Sequence, residues 1–189
     1  MLKRKPWQSL LTAASLALGL GMGQAAVADD DPLKVGFVYV GPVGDYGWSY
    51  EHDRGRIEAQ KHFGDKIETT YVEKVPEGAD AERVIRQMAQ SGSDLIFTTS
   101  FGFMNPTLKV AKRFPKVAFE HATGYKRAKN MSTYALRTYE GRYVSGIAAG
   151  METKTNTIGY IASFPIPEVI RDINAVYMAA KSVNPDVKI

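Results

Sequence analysis

From Leu33 onward the chain alternates between short β-branched or aromatic runs and amphipathic stretches, and that order restricts its fold more than any other feature. Leu33–Val40 reads as a buried strand, Ser49–Phe63 as a helix stopped by Gly64, and Ile67–Val72 as a second strand. Val84, Ile85, Met88 and Ala89 recur at helical spacing within Ala81–Gln90, and Asp94–Thr98 is a third strand. The stretch from Met104 to Phe114 begins a helix that Asn105 can cap, with Pro106 in its first turn. Val117–Phe119 and Thr133–Leu136 are expected as further strands, and Gly141–Met151 as a helix of small residues suited to close packing. Thr157–Ala162 is expected as another strand and Pro167–Val183 as another helix. Alternation of this kind predicts an α/β protein: a doubly wound parallel sheet with helices on both faces. Right-handed crossovers then place a ligand crevice at the carboxyl ends of the strands, so the loops that follow them carry the function.

The segment before Leu33 has a different character. Lys3, Arg4 and Lys5 precede a mostly apolar, small-residue run from Ser9 to Gly23, and Ala26, Val27 and Ala28 form a small-x-small site. That layout predicts a cleaved secretory signal peptide over residues 1–28. A membrane anchor is the rival, but the apolar stretch falls short of the roughly 20 residues a spanning helix needs. Removing the leader's three positive charges takes the formal net charge from +4 to +1, so the basic balance gives no indication of a nucleic-acid partner. The chain has no cysteine. Disulfides, thiolate metal sites, a cysteine nucleophile and a lipid-modified cysteine are thereby excluded. The expected product is an unanchored exported protein, periplasmic in a cell with two membranes.

Gly41, Gly44 and Gly47 follow the first strand, a position where glycines often cradle phosphate. Their spacing of three is not G-x-G-x-x-G, no P-loop lysine follows, and Asp45 and Trp48 occupy space a phosphate would need. Aromatic groups beside an acid suit a flat polar ligand better. Trp48 offers a broad face at a loop–helix junction, Tyr46 can stack and hydrogen-bond, and Asp45 can accept from an amino group, a ring N–H or a sugar hydroxyl. Phe101 and Phe103 lie after the third strand, toward the same crevice. Each has a plainer role available: Trp48 capping the core, Asp45 closing a turn, Phe103 and Tyr50 packing inside. Asp45, Tyr46, Ser100 and Glu120 are the candidate partners for the polar edge of a ligand, although Glu120 with His121 can equally finish a strand. The three histidines, His52, His62 and His121, are scattered, and neither G-x-S-x-G nor H-E-x-x-H occurs. His52 and Asp53 are adjacent on a helix and so point apart. No enzyme, cofactor or metal site is expected.

Three segments carry a resemblance to a known family: LKVGFVYVGPVGDYGWSYEHDRG, DLIFTTSFGFMNPTLKVAKRFPKVAFEHATG and YALRTYEGRYVSGIAAG. Together they resemble the basic membrane protein family, substrate-binding proteins of ABC importers with the type I periplasmic binding protein fold. The resemblance covers Leu33 to Ile189. It implies two α/β lobes clamping a purine nucleoside or nucleobase, and an inner-membrane permease as partner of a monomer. Family members place an acid, two residues and a stacking aromatic after the first strand, and Asp45 and Trp48 match. Ser49 stands where many members have Asn, and Ser100–Phe101 where they have a glycine–aromatic pair. Asn105 occupies the position at which nucleoside-binding members carry an Asp for the ribose hydroxyls, which leaves a free base plausible. Phe164, in the first loop of a second lobe, is the candidate for the opposing ring. Glu140 and Arg142 are expected to be structural, near the lobe crossover. The implied organisation is an N-terminal lobe with crossover over residues 29–150 and an incomplete, truncated start of a second lobe over 151–189. The alternative of the same fold is a simple-sugar binding protein or a ligand-sensing receptor domain.

Overall fold

Val35, Phe37 and Tyr39 face one side of the first strand and Val38 the other, and all four are buried. A strand covered on both faces belongs at the centre of a parallel sheet. The computed structural model of the protein describes residues 31–189; the expected leader lies outside the described residues. It contains β1 (Leu33–Val38), α1 (Trp48–Phe63), β2 (Ile67–Val72), α2 (Ala79–Gln90), β3 (Leu95–Thr98), α3 (Met104–Arg113), β4 (Ala118–Ala122), β5 (Met131–Tyr134), α4 (Thr138–Glu152) and α5 (Pro167–Val183). The strands are all parallel, in the order β2-β1-β3-β4-β5. This is the doubly wound α/β architecture expected from the alternation.

The two faces are held differently. Against α2 and α3 the sheet builds an aliphatic core from Val38, Ile96 and Phe119 with Ile85, Met88, Val110 and Phe103. On the other face Phe37 and Phe97, register partners, stack with ring centroids 4.8 Å apart. There α1 has few apolar residues and is pinned by a polar network. Asp53 is buried, and Oδ1 accepts from Arg56 Nε at 2.6 Å and from the Tyr39 hydroxyl at 3.3 Å. Arg56 continues to Thr69 Oγ1 on β2 at 3.0 Å and lies over the Tyr71 ring. Burial, then the Asp53 charge, pushes the Tyr39 phenol well above its ordinary range, so it serves as a hydrogen-bond donor.

Asn130, just before β5, binds a different set of groups. Its Nδ2 reaches the carbonyl oxygens of Ala111, Phe114 and Val117 at 3.1, 3.0 and 2.7 Å, closing the end of α3 against β4. Asn130→Ala leaves carbonyls at a helix end without that donor and is expected to cost about 1–3 kcal/mol, read as a lower denaturation midpoint in urea with unchanged slope. A midpoint equal to wild type would show that water replaces the amide fully.

Three sequence expectations change. Asn105 does not cap α3: a 3₁₀ turn at Phe101–Phe103 leads into the helix a residue earlier, Phe103 precedes its first residue, and Asn105 lies inside. Its Oδ1 instead accepts from Lys126 Nζ at 2.8 Å. Pro106 does sit in the first turn. Thr157–Ala162 is not a strand. Only Thr157 bridges Lys188, with Ile158 N–H donating to the Lys188 carbonyl at 2.9 Å, and Ile161 is fully exposed. Phe103 is wholly buried in the core, so it is no part of a crevice. The small-residue helix does pack closely: a Cβ on Gly146 would lie 2.6 Å from the Val176 carbonyl oxygen, and one on Gly150 2.8 Å from Ala180 Cα. Those two glycines let α4 and α5 approach backbone to backbone.

Candidate functional site

In a sheet of order 2-1-3-4-5, the chain leaves β1 and β3 in opposite directions, and the gap between their carboxyl ends is the topological switch point. Trp48 spans it. As the first residue of α1, following the loop after β1, its Nε1–H donates to the carbonyl of Thr99, the residue after β3, at 2.5 Å. His52, one turn on, lies with its ring centroid 4.6 Å from that of Trp48. Its Nδ1 is 2.8 Å from the Trp48 carbonyl oxygen, which can only accept, so Nδ1 carries the proton. Burial lowers the His52 pKa, the Trp48 carbonyl opposing, and the ring is favoured neutral. The indole is thus fixed at its nitrogen and against one neighbouring ring, yet Trp48 remains 38% exposed and lines a cleft.

That cleft has a volume of about 270 Å³. Besides Trp48, its lining includes Leu136 and Thr138 leading into α4, the segment Tyr160–Ser163, and Arg142, Glu168 and Asp172 on α4 and α5. Asp172 is buried: Oδ1 accepts from Thr138 Oγ1 at 3.0 Å, and Oδ2 lies 3.6 Å from Arg142 Nε. A larger groove of about 700 Å³ runs along α4 and α5 past Tyr143, Ile170 and Met178, and no sequence-predicted site residue lines it.

None of the other predicted residues lines the cleft. Asp45 Oδ1 accepts the Gly47 amide at 2.9 Å, closing the turn that delivers Trp48. Tyr46, at φ 55° and 81% exposed, packs on Tyr50. Ser49 is buried, and its Oγ accepts the Gly41 amide at 3.0 Å, fastening the start of the loop to the helix. Ser100 donates to Glu77 Oε1 at 2.6 Å, and half-buried Phe101 lies 6.3 Å from the Tyr125 ring. Asn105 is exposed and bound to Lys126. Glu120 accepts from Ser132 Oγ on β5, and its charge adds to the burial that raises the Tyr134 phenol. Phe164 is 70% exposed and lies outside the cleft lining, which Ile161, Ala162 and Ser163 supply instead.

Sequence reasoning missed two carboxylates that shape these loops. Glu73 Oε2 accepts the Val43 amide at 2.8 Å, tying the loop after β1 to the loop after β2. Glu77 Oε1 accepts both Ser100 Oγ and the Gly102 amide, at 2.6 and 3.1 Å, tying the loop after β2 to the loop after β3. A Cβ on Gly102 would fall 2.0 Å from the Glu77 carboxyl carbon, so this close approach needs a glycine there. The only signal in the sequence was their place in the loop after the second strand. Glu168, Asp172 and Arg142 were likewise not predicted to share a cleft with Trp48.

A parallel sheet that presents an indole at its switch point, with a cleft beside it, makes this a doubly wound α/β domain with an open cleft at the carboxyl edge of its strands. The chain belongs to the ABC transporter substrate-binding protein, PnrA-like family (Bmp), which it matches over residues 33–189. It is 57% identical over 171 residues to the purine-binding protein of Brucella abortus (strain 2308), covering 90% of this chain and 49% of that one. It is 46% identical over 159 residues to a putative ABC transporter glucose-binding protein of Haloferax volcanii, covering 84% of this chain and 40% of that one. Among solved structures, the ABC transporter system solute-binding protein of Aeropyrum pernix K1 superposes with a TM-score of 0.70 at 24% identity, covering 82% of this chain and 44% of that one. The chain spans about half the length of the curated relatives it matches or less.

Proposed function

We propose that this protein is an exported solute-binding protein that captures a purine base or nucleoside in the Trp48 cleft and hands it to an ABC importer permease. The observation that carries this reading is the indole held by Thr99 at the switch point, with exposed surface on a cleft. A ring so placed gives a flat heterocycle a stacking surface without losing freedom on binding. Its N–H is already committed, so recognition of the ligand's polar edge falls to other groups. The residues 1–28 are read as a secretory signal, which would deliver the protein to the periplasm of a two-membrane cell; among the described residues no helix is long and apolar enough to cross a membrane. The relatives are named as binding proteins, and the role proposed is capture without chemistry. Residues 29–150 form a ligand-binding lobe with crossover in this reading, and 151–189 begin a second.

Isothermal titration of the chain against adenine, guanine, their nucleosides, ribose and glucose tests it. Heat with the purines and none with the sugars is expected. Micromolar or weaker affinity is expected, since the ring that was to oppose Trp48, Phe164, is exposed and is not part of the cleft lining. Heat with sugars alone would favour the second reading, a sugar-binding protein, for which the Haloferax volcanii relative is the supporting observation.

A further inference from the structure

The cleft holds one carboxyl with nothing to bind. Asp172 is engaged by Thr138 and Arg142, and Arg142 by Asp172. Glu168, in the first turn of α5, lines the same cleft and is half-buried, and among the described residues no hydrogen bond or ion pair reaches it. Burial raises its pKa above the ordinary carboxylate range, Arg171 opposing and Asp172 reinforcing. A half-buried carboxyl with no protein partner keeps its bonds to water, and a ligand that displaces that water must supply a donor in its place. Trp48 lines this cleft with exposed surface but offers no free donor or acceptor of its own, since its only polar atom is bound to Thr99. The stacking surface and the free acceptor are therefore divided between α1 and α5.

Resting on the function proposed above, we propose that Glu168 is the specificity-determining residue of the cleft, accepting a hydrogen bond from an exocyclic amino group of a purine stacked on Trp48. A ligand of the same ring shape without that amino group would fill the cleft and leave Glu168 unpaired. Discrimination then follows from the unpaired acceptor, whose water the ligand displaces, rather than from shape.

The test uses the full chain titrated with adenine, guanine and unsubstituted purine, for wild type, Glu168→Ala, Glu168→Gln and Trp48→Ala. In wild type the two amino-bearing bases bind about tenfold or more tightly than purine, the scale of a hydrogen bond to a charged group. Glu168→Ala brings all three bases to the affinity of purine, and Glu168→Gln, which keeps a carbonyl acceptor but no charge, restores part of the preference. Trp48→Ala weakens all three by a common factor. If purines bind and Glu168→Ala keeps the preference, the assignment of Glu168 is wrong and the purine reading stands. If no purine binds wild type at all, the purine reading fails and takes the assignment with it. Circular dichroism of each variant confirms that the helix is intact, so that a loss of preference is a property of the cleft.

Discussion

On the function proposed above, Trp48→Ala is expected to lower purine affinity by about tenfold to a hundredfold, with little loss of fold stability. An aromatic ring stacked on a base contributes on the order of 1–3 kcal/mol, which sets that range. The substitution also removes the Nε1–H bond to Thr99 that bridges the loops after β1 and β3. Those loops keep independent ties through Glu73 to Val43 and through Glu77 to Ser100 and Gly102. Trp48 is also 38% exposed, unlike the fully buried Phe103 and Phe119 of the core, so little apolar contact is lost. Titration calorimetry measures the affinity and urea denaturation the stability. A variant that unfolds readily while retaining wild-type affinity would make Trp48 a packing residue, and the site would have to be sought elsewhere.

Gly124→Ala is expected to be the most destabilising single-methyl change in the sheet's loops. A Cβ there would lie 2.2 Å from Cδ2 and 2.5 Å from Nε2 of His121, whose ring is fully buried and bonded through Nδ1 to Thr98 Oγ1 at 2.9 Å. A fully buried ring held by that bond yields less readily than the exposed Glu77 carboxylate that faces Gly102. Overpacking of this kind costs about 3 kcal/mol, visible as a lower thermal midpoint. The hydroxyl of Thr107 donates to the Phe103 carbonyl at 2.7 Å and lies 3.0 Å from Thr98 Oγ1, so Thr98 gives its proton to Thr107 and accepts from His121 Nδ1–H. Nε2 is then an unprotonated nitrogen with no partner among the described residues.

The same imidazole makes stability depend on pH. Burial pushes its pKa from 6.5 down to about 4, with the Thr98 contact opposing, because a charged ring would need an acceptor at Nε2. The folded pKa lies below the unfolded one, so the unfolded chain takes up the proton first as pH falls. Stability from this group is full above pH 6.5 and declines between pH 6.5 and about 4, by roughly 1.4 kcal/mol per pH unit. His121→Gln removes that slope in denaturation measured across the window. An unchanged slope would assign the acid sensitivity to other groups.

The strand–helix alternation and the run of apolar residues in β1 were sufficient to predict a doubly wound parallel sheet, because period and burial are local properties of a sequence. The Gly146 and Gly150 pair was legible for the same reason: only small side chains allow two helix backbones to meet. The Trp48 position was legible too, since a loop after a first parallel strand always opens at the sheet's carboxyl edge. The paths of individual polar groups were not. Asn105 has a capping side chain but lies inside α3, which a 3₁₀ turn starts a residue earlier, and Ser49 turns inward to hold Gly41. Nothing local distinguishes a serine that binds a loop amide from one that meets a ligand.

By itself the sequence determined the class of fold, the edge of the sheet at which the loops after the strands open, and the aromatic residue placed there, since periodicity and chain order dictate all three. Only the tertiary structure decided that Thr99 claims the indole N–H, that Glu73 and Glu77 tie the loops together, and that Glu168 shares a cleft with Trp48 across 120 residues of chain. Hydrogen-bond partners far apart in sequence are chosen by packing, and packing is a property of the whole folded chain.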